Sequence, residues 1–300
     1  MDDLRQLPKL RDSISYLYIE QAIINRHQKA VEAVNEDGRI QIPAASLSVL
    51  MLGPGTSITH AAVSSLAENG CSILWVGEEA TRFYAQGLGE TRKAYHLLRQ
   101  AAQASDPAQR ELVVRRMYVK RFLEPLEAGL TLPQVRGLEG VRVRRAYQHA
   151  SQQFGVKWYG RRYDRKDWGG GDPVNRALSA ANAVLHGICH AAIVSGGYST
   201  AIGFIHTGKQ LSFVYDVADL YKVDLTIPVA FEVVAEGQHR VERRARELCR
   251  QRFRQERLLQ RILPDIDELL GISIQDSAKA DELDSDPALP EALWEALEGD

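Results

Sequence analysis

An α+β protein in two unequal parts is what this sequence predicts: a small β-rich N-terminal domain over residues 1–86, then a larger, mainly α-helical C-terminal domain over residues 87–274. Three observations carry the prediction. Before Gly87 the chain is a series of short β-branched and aromatic runs divided by turn residues, the texture of strands. After Gly87-Leu-Gly89 the texture changes to helical periodicity with helix-start signals. From Gln275 to Asp300, Asp, Ser, Ala and Pro dominate, so the chain ends in an acidic tail expected to be disordered.

Strands are expected at Ser15 to Ile19, Ala30 to Val34, Arg39 to Pro43, Ser48 to Leu52, Ser72 to Val76 and Arg82 to Ala85. Asn35-Glu-Asp-Gly38 reads as a hairpin turn. One helix in this half, Thr59 to Glu68, is entered through Gly53-Pro-Gly-Thr-Ser57 and closed at Asn69-Gly70. In the second half, helices are expected near 92–104, 107–123, 131–154, 173–195, 212–221 and 239–263. Asp106-Pro107 and Asp172-Pro173 each offer an N-cap followed by proline at the first helical position. Gly155 to Gly171 is the longest loop, and within the tail Leu289 to Leu297 can close into a short amphipathic helix around Trp294. No internal repeat points to a solenoid.

At 300 residues and 45% apolar composition, the chain can bury one large core or two ordinary ones. Its formal charge of −2 conceals an asymmetry, because the tail from Gln275 carries nine carboxylates against Lys279, a balance of −8 that leaves the body at +6. A basic body points toward a polyanionic partner. Cys71, Cys189 and Cys249 are odd in number and never form a C-x-x-C pair, which argues against a disulfide framework and a cysteine zinc site. The start, with Asp2, Asp3 and Arg5, is no signal peptide, and no window reads as the roughly 18 apolar residues of a membrane span. A cytoplasmic protein with no membrane partner is expected.

Gly203-Phe-Ile-His-Thr-Gly208-Lys209-Gln210 nearly spells the phosphate-cradling P-loop, but Gln210 stands where a hydroxyl must bind magnesium. An ATPase or GTPase is therefore not expected. The same stretch gains interest from the acids that follow. Asp216 and Asp219 lie three apart on an expected helix and share a face whose neighbours Phe213, Val214, Val217 and Leu220 are apolar. Buried carboxylates demand a basic partner or a metal, and spacing alone favours salt bridges.

Glu139 is the one acid among Arg136, Arg142, Arg144 and Arg145, where it can neutralise charge or offer oxygen to a hard divalent ion beside a phosphate-binding surface. Two further basic clusters extend that surface. In the long loop Lys157, Arg161, Arg162, Arg165 and Lys166 are interleaved with Trp158, Tyr159, Tyr163 and Trp168, a composition suited to stacking on bases while arginines hold phosphates. The arginines from Arg240 to Arg261 form the other, with Glu242, Glu247 and Glu256 as possible partners, so a solvated helix face is an equal reading there.

These residues resemble a known family, the CRISPR-associated integrase/endonuclease (Cas-one), in its subtype I-E branch. The matching segments are Leu52-Gly-Pro-Gly-Thr56, Thr59-His-Ala-Ala-Val63, Trp75-Val-Gly-Glu78, Arg136-Gly-Leu-Glu-Gly140, Trp158-Tyr-Gly-Arg-Arg-Tyr-Asp164, and Ala201 through Lys209 continuing from Leu211 to Asp219. The resemblance implies a homodimer with a catalytic helical domain, two such dimers flanking a dimer of the small partner Cas-two. It implies a metal-dependent enzyme that joins the 3′-hydroxyl ends of captured foreign DNA into the CRISPR repeat and also acts as a DNA endonuclease. On this likeness Glu139, His206 and Asp219 hold Mg2+ or Mn2+, and Asp216 also matters for activity. Lys209 and Tyr163 correspond to positions near DNA, Arg82 to a basic position near the domain junction, and Arg136, Arg142, Arg161 and Arg162 to the DNA-facing basic surface read above. Ser57 and Ser64 depart from the pattern, standing where close relatives can carry arginine.

The implied chemistry suits the residues, since attack by a 3′ hydroxyl on a phosphodiester conserves the number of ester bonds and needs no nucleotide cofactor. Two rivals share the surface: a structure-selective nuclease hydrolysing DNA or RNA, and a non-catalytic DNA-binding scaffold. A zinc hydrolase is disfavoured because no H-E-x-x-H occurs and no second histidine stands at ligand spacing beside His206.

Overall fold

The computed structural model describes residues 16–27, 30–36, 38–42, 44, 47, 49–78, 82–87, 94–122, 126–127, 129–161 and 172–272. The tail expected to be disordered, with Arg162, Tyr163 and most of the long loop, lies outside the described residues.

A β-rich N-terminal region is followed by a mainly helical C-terminal region, as the sequence predicts. The first region holds two four-stranded sheets. One pairs β1 (Tyr16–Ile19), β5 (Val49–Leu52) and β7 (Ser72–Val76) in parallel, with β8 (Phe83–Gly87) antiparallel at its edge. The other is a meander of β2 (Ile23–His27), β3 (Ala30–Asn35) and β4 (Gly38–Ile42), with the two-residue β6 (Ser57–Ile58) parallel to β2. The expected hairpin turn is present, and Asn35 Oδ1 accepts from the Gly38 N–H at 3.1 Å. The strand Ile23–His27 is missing from the sequence reading because Asn25, Arg26 and His27 break any apolar alternation. It forms because Ile24 is fully buried and the backbone finds partners on both sides.

Val49 to Leu52 is buried at every position because its sheet is covered on both faces. Leu50, Leu52 and Ile73 point toward the meander and toward α1 (His60–Glu68), joining Ile24, Val31 and Leu66. Val49, Met51, Leu74 and Val76 point the other way, onto Ala191 and Val194 of the helical region. Period-two alternation therefore ties one sheet to two cores.

The helices are α2 (Tyr95–Ser105), α3 (Pro107–Arg121), α4 (Leu132–Phe154), α5 (Pro173–Ser195), α6 (Ser212–Ala218), α7 (Lys222–Ala235), α8 (Val241–Gln255) and α9 (Leu258–Leu270). The two Asp-Pro starts behave as capping rules require: Asp106 accepts from Gln109 N at 2.8 Å and Asp172 from Asn175 N at 3.1 Å. Two expectations need correction. The sequence reading has no helix over 222–235, where Leu225 to Val234 is apolar almost all round and contains Pro228, so neither a period nor a clean run marks it. The single helix expected over 239–263 is two, broken at Arg257, whose φ of 49° is left-handed.

α5 is the central helix, packed by α6, α7, α8 and α9. It also corrects the membrane reading, because it is long and apolar enough to pass as a span. Most of that apolar surface is buried inside the fold, with Leu178, Ala181, Leu185, Cys189 and Ile193 shielded by neighbouring helices. The packing of α3, α4 and α6 with the segment 196–211 positions the residues singled out by the sequence.

Candidate active site in the helical region

Asp216, on α6, is fully buried and organises the segment before it. Its Oδ2 accepts from Phe204 N at 2.6 Å and Ile205 N at 3.1 Å, while Oδ1 accepts from His206 N at 2.9 Å and His206 Nδ1 at 2.7 Å. Three successive backbone N–H groups thus close around one carboxylate, the arrangement of an anion-binding nest with its anion built in. The P-loop likeness ends here, since those N–H groups are bonded to Asp216 and the segment joins two helices.

The contact at Nδ1 fixes the imidazole. A carboxylate only accepts, so Nδ1 carries the proton and Nε2 is the lone-pair nitrogen of the neutral ring. The hydrogen bond to Asp216 raises the His206 pKa above its ordinary value, and partial burial opposes it. Further supports hold the segment from the other side. Gln100 Nε2 donates to Ser199 O at 2.9 Å and Ile202 O at 2.8 Å, and its Oε1 accepts from Ser199 N at 2.8 Å. Arg110 donates through Nε and Nη2 to Phe204 O at 3.0 and 2.8 Å. Gly203 must be glycine, because a Cβ there would stand 2.2 Å from His206 O.

Glu139 comes from the middle of α4 and Asp219 from the end of α6, and Arg121, the last residue of α3, lies between them. Arg121 Nη1 is 3.7 Å from Glu139 Oε1 and 3.9 Å from Asp219 Oδ2. Arg142 Nη1 reaches Glu139 Oε1 at 3.4 Å, and Lys222 Nζ lies 3.6 Å from Asp219 Oδ1. The other Glu139 oxygen, Oε2, is buried and accepts no hydrogen bond. Among the described residues no three His, Cys, Asp or Glu side chains converge closely enough to enclose a metal ion, the position between the two carboxylates being taken by a guanidinium.

The structure therefore brings Glu139, Asp216 and Asp219 into one site and sets His206 within electrostatic reach of Asp219 and Arg121. Arg136 and Arg142 lie one turn to either side of Glu139, Arg136 exposed and Arg142 half-buried with its guanidinium 5.9 Å from the Phe122 ring. Lys209 is exposed beside Gly208, its backbone N–H donating to Ser212 Oγ at 3.0 Å. Arg161 anchors the loop, donating to Asn175 O at 3.0 Å, Asn175 Oδ1 at 2.9 Å and Ser179 Oγ at 3.1 Å. Arg82 is exposed just before β8, in the β-rich region.

The basic clusters contain packing and ion-paired residues as well as exposed ones. Trp158 is packing, stacked on Tyr147 with ring centroids 4.6 Å apart and edge-on to Phe231, whereas Tyr159 is 66% exposed. In the 240–261 cluster, Arg243, Arg244, Arg250, Arg252 and Arg261 pair with Glu247, Glu236, Glu78, Glu232 and Glu256, as a solvated and ion-paired surface does.

Sequence reasoning missed Arg121, Gln100, Arg110, Lys222 and His186. The His186 ring meets Tyr215 edge-on at 5.1 Å, and Tyr215 meets His206 at 5.9 Å. Burial, with Lys222 adding to it, lowers the His186 pKa to about 4, so it stands as a neutral ring. No motif marks these residues: Arg121, Gln100, Arg110 and His186 act through chain-distant contacts, and Lys222, three residues after Asp219, gives no signal of its own.

A tethered imidazole and two more carboxylates, set among arginines at the edge of a helical region, define the class of phosphate-handling sites. The comparisons narrow that class. The profile of the family described as "CRISPR associated protein Cas1" matches residues 15–124 and 116–256. The chain is 54% identical over 299 residues to the CRISPR-associated endonuclease Cas1 2 of Thermus thermophilus, covering 99% of this chain and 91% of that protein. It is 42% identical over 263 residues to the CRISPR-associated endonuclease Cas1 of Escherichia coli, covering 87% of this chain and 86% of that one. Among solved structures, one described as "Crystal structure of TtCas1-DNA complex" superposes with a TM-score of 0.83 at 56% identity, covering 88% of this chain and 99% of that one. The chain belongs to the Cas1 family.

Proposed function

We propose that this chain is a divalent-metal-dependent DNA integrase of CRISPR adaptation, which also cleaves DNA. Glu139, His206 and Asp219 are the residues to hold Mg2+ or Mn2+. The observation that carries the reading is the pairing of an unpartnered buried oxygen, Glu139 Oε2, with an imidazole whose Nδ1 is tied to Asp216. Carboxylate oxygen and a single nitrogen form a donor set for a hard ion. The carboxylate–histidine pair is the outer support that orients a metal-binding imidazole. When bound, the ion supplies Lewis acidity to a phosphodiester and its attacking oxygen.

Asp216, with every oxygen engaged, positions His206. Arg136, Arg142 and Lys209 border the site on the exposed side and suit phosphate contacts, with Tyr163, Arg162 and Arg82 as further DNA-facing candidates. In the joining reaction the 3′ oxygen of captured DNA forms a bond to phosphorus, the target strand's 3′ oxygen departs and takes up a proton, and the number of phosphodiesters is unchanged. Water in place of the hydroxyl gives strand cleavage. The likeness to a structure described as a DNA complex and to proteins named endonucleases supports DNA as substrate. The proposed assembly is two homodimers of this chain bridged by a Cas-two dimer, acting in the cytoplasm, and membership of the subtype I-E branch is part of the same proposal, supported by the motif likeness.

The test is integration of a labelled DNA fragment into a repeat-bearing plasmid by the full chain with its partner, in Mg2+ or Mn2+. Glu139→Ala and Asp219→Ala should abolish the branched, covalently joined product. Persistence of that product in either variant refutes the assignment, and shortened strands without branched product make the chain a nuclease alone.

A further inference from the structure

Arg121 is the residue least explained by packing. Its side chain is only 4% exposed, yet neither of its nearest carboxylates lies at the 2.7–2.9 Å that a buried guanidinium usually reaches. Its one short contact is Nη2 donating to the Asp216 backbone O at 3.3 Å, with the Tyr118 ring 5.3 Å from its carbon centre. Its Nε is buried without a hydrogen-bond partner, and so is Glu139 Oε2. A buried ion pair pays for desolvation through short, saturated hydrogen bonds, and this one has not formed them.

We infer that Arg121 is the resident counter-cation of the site, holding Glu139 and Asp219 together by charge while leaving their lone pairs available, and that it thereby sets the affinity for a divalent cation. The inference rests on the metal-binding reading above. Two carboxylates, Glu139 and Asp219, face three cations, Arg121, Arg142 and Lys222, so their charge is already offset before any ion arrives. Arg142 and Lys222 sit nearer the surface, at 18% and 36% exposed, and can swing toward an incoming phosphate. Arg121 cannot leave, being enclosed on all sides. Its fixed positive charge opposes a divalent ion at the same carboxylates, so the ion binds weakly until a polyanion draws the other two cations away. Arg121 is in this sense a positioning residue whose field couples metal binding to DNA binding.

The experiment measures Mn2+ binding to the full chain by the electron paramagnetic resonance signal of free Mn2+, without DNA, for wild type, Arg121→Met, Arg121→Lys and Glu139→Ala. Arg121→Met should bind Mn2+ about tenfold more tightly than wild type, Arg121→Lys within about threefold of wild type, and Glu139→Ala far more weakly. Thermal midpoints across a Mn2+ series keep the test valid if Arg121→Met is unstable, since tighter binding predicts a larger Mn2+-dependent rise than in wild type. Glu139-dependent binding in wild type that is unchanged or weaker in Arg121→Met, with an equal or smaller thermal rise, overturns the role of Arg121 alone. Absence of Glu139-dependent Mn2+ uptake in both wild type and Arg121→Met overturns the metal reading and this inference with it.

Discussion

Replacing Asp216 by Asn separates the framework of the site from its chemistry. The substitution keeps size and burial but exchanges one acceptor oxygen for an NH2 group in a pocket where four donors converge. If the remaining oxygen keeps the Phe204 and Ile205 N–H groups, the new NH2 confronts the backbone N–H and Nδ1–H of His206. Flipping the amide strands the other pair. The imidazole can switch tautomer and accept from the NH2 at Nδ1, so at least one backbone N–H loses its acceptor, and the expected loss of stability is about 1–3 kcal/mol. Urea denaturation reads that loss, and hydrogen exchange of a peptide covering 199–210 should report deprotection of the 204–206 amides. Asp219→Asn is the contrast, because that side chain is 27% exposed and its cations stand at 3.6 and 3.9 Å. Its stability should change by less than about 1 kcal/mol while integration is lost. An Asp216→Asn protein that loses less than about 1 kcal/mol and keeps its exchange protection would refute the claim that Asp216 holds the segment.

His190, stacked on Phe83 at 3.9 Å, has its pKa lowered by burial from 6.5 to about 4. The unfolded chain therefore takes up the proton first, so the contribution is intact above pH 6.5 and lost as the pH falls toward 4, by about 1–2 kcal/mol after allowance for its partial exposure. His190→Leu should flatten the fall in urea midpoint between about pH 7 and pH 5, and an unchanged slope counts against it. Gly203→Ala drives a Cβ to 2.2 Å from His206 O and 2.8 Å from Ser212 Cβ, so integration should fall about a hundredfold while the β-rich region keeps its exchange protection. Gln100→Leu strands Ser199 N–H and the carbonyls of Ser199 and Ile202, which should cost about 2–4 kcal/mol in urea denaturation.

Local signals were enough for most of the fold. Asp106-Pro107, Asp172-Pro173, Thr59 and Asn35-Gly38 act through bonds to residues three positions away, and each is found where the sequence places it. The failures share a physical cause. Ile23–His27 is a strand by virtue of its neighbours, α7 is buried too evenly to show a period, and the break at Arg257 needs a left-handed residue that no glycine announces. α5 shows the same limit in another form. Twenty-three residues that are apolar enough to cross a bilayer are here the axis around which α6 to α9 pack, and only the packing distinguishes the two.

The site was legible in part for the same reason. A separation of three residues on a helix correctly puts Asp216 and Asp219 in one neighbourhood, but it treats them as equivalents. In the fold α6 ends at Ala218, and the two carboxylates diverge in role: Asp216 turns inward and is saturated by the 204–206 segment, while Asp219, at the helix end, faces α3 and α4. The salt bridges favoured by spacing alone are present at Asp219, attended by Arg121 and Lys222, but not at Asp216, whose oxygens take backbone N–H groups and His206, while Arg121 and Arg142 attend Glu139. Yet these are long contacts that leave one buried oxygen of Glu139 without a partner, which an ordinary structural ion pair does not do. On the metal reading proposed above, salt bridge and metal site are successive states of the same carboxylates, with Arg121 inferred to hold the charge of the first and to limit the affinity of the second. Composition and spacing could not reveal this, because Arg121, Glu139 and Asp219 meet only through the packing of three separate helices.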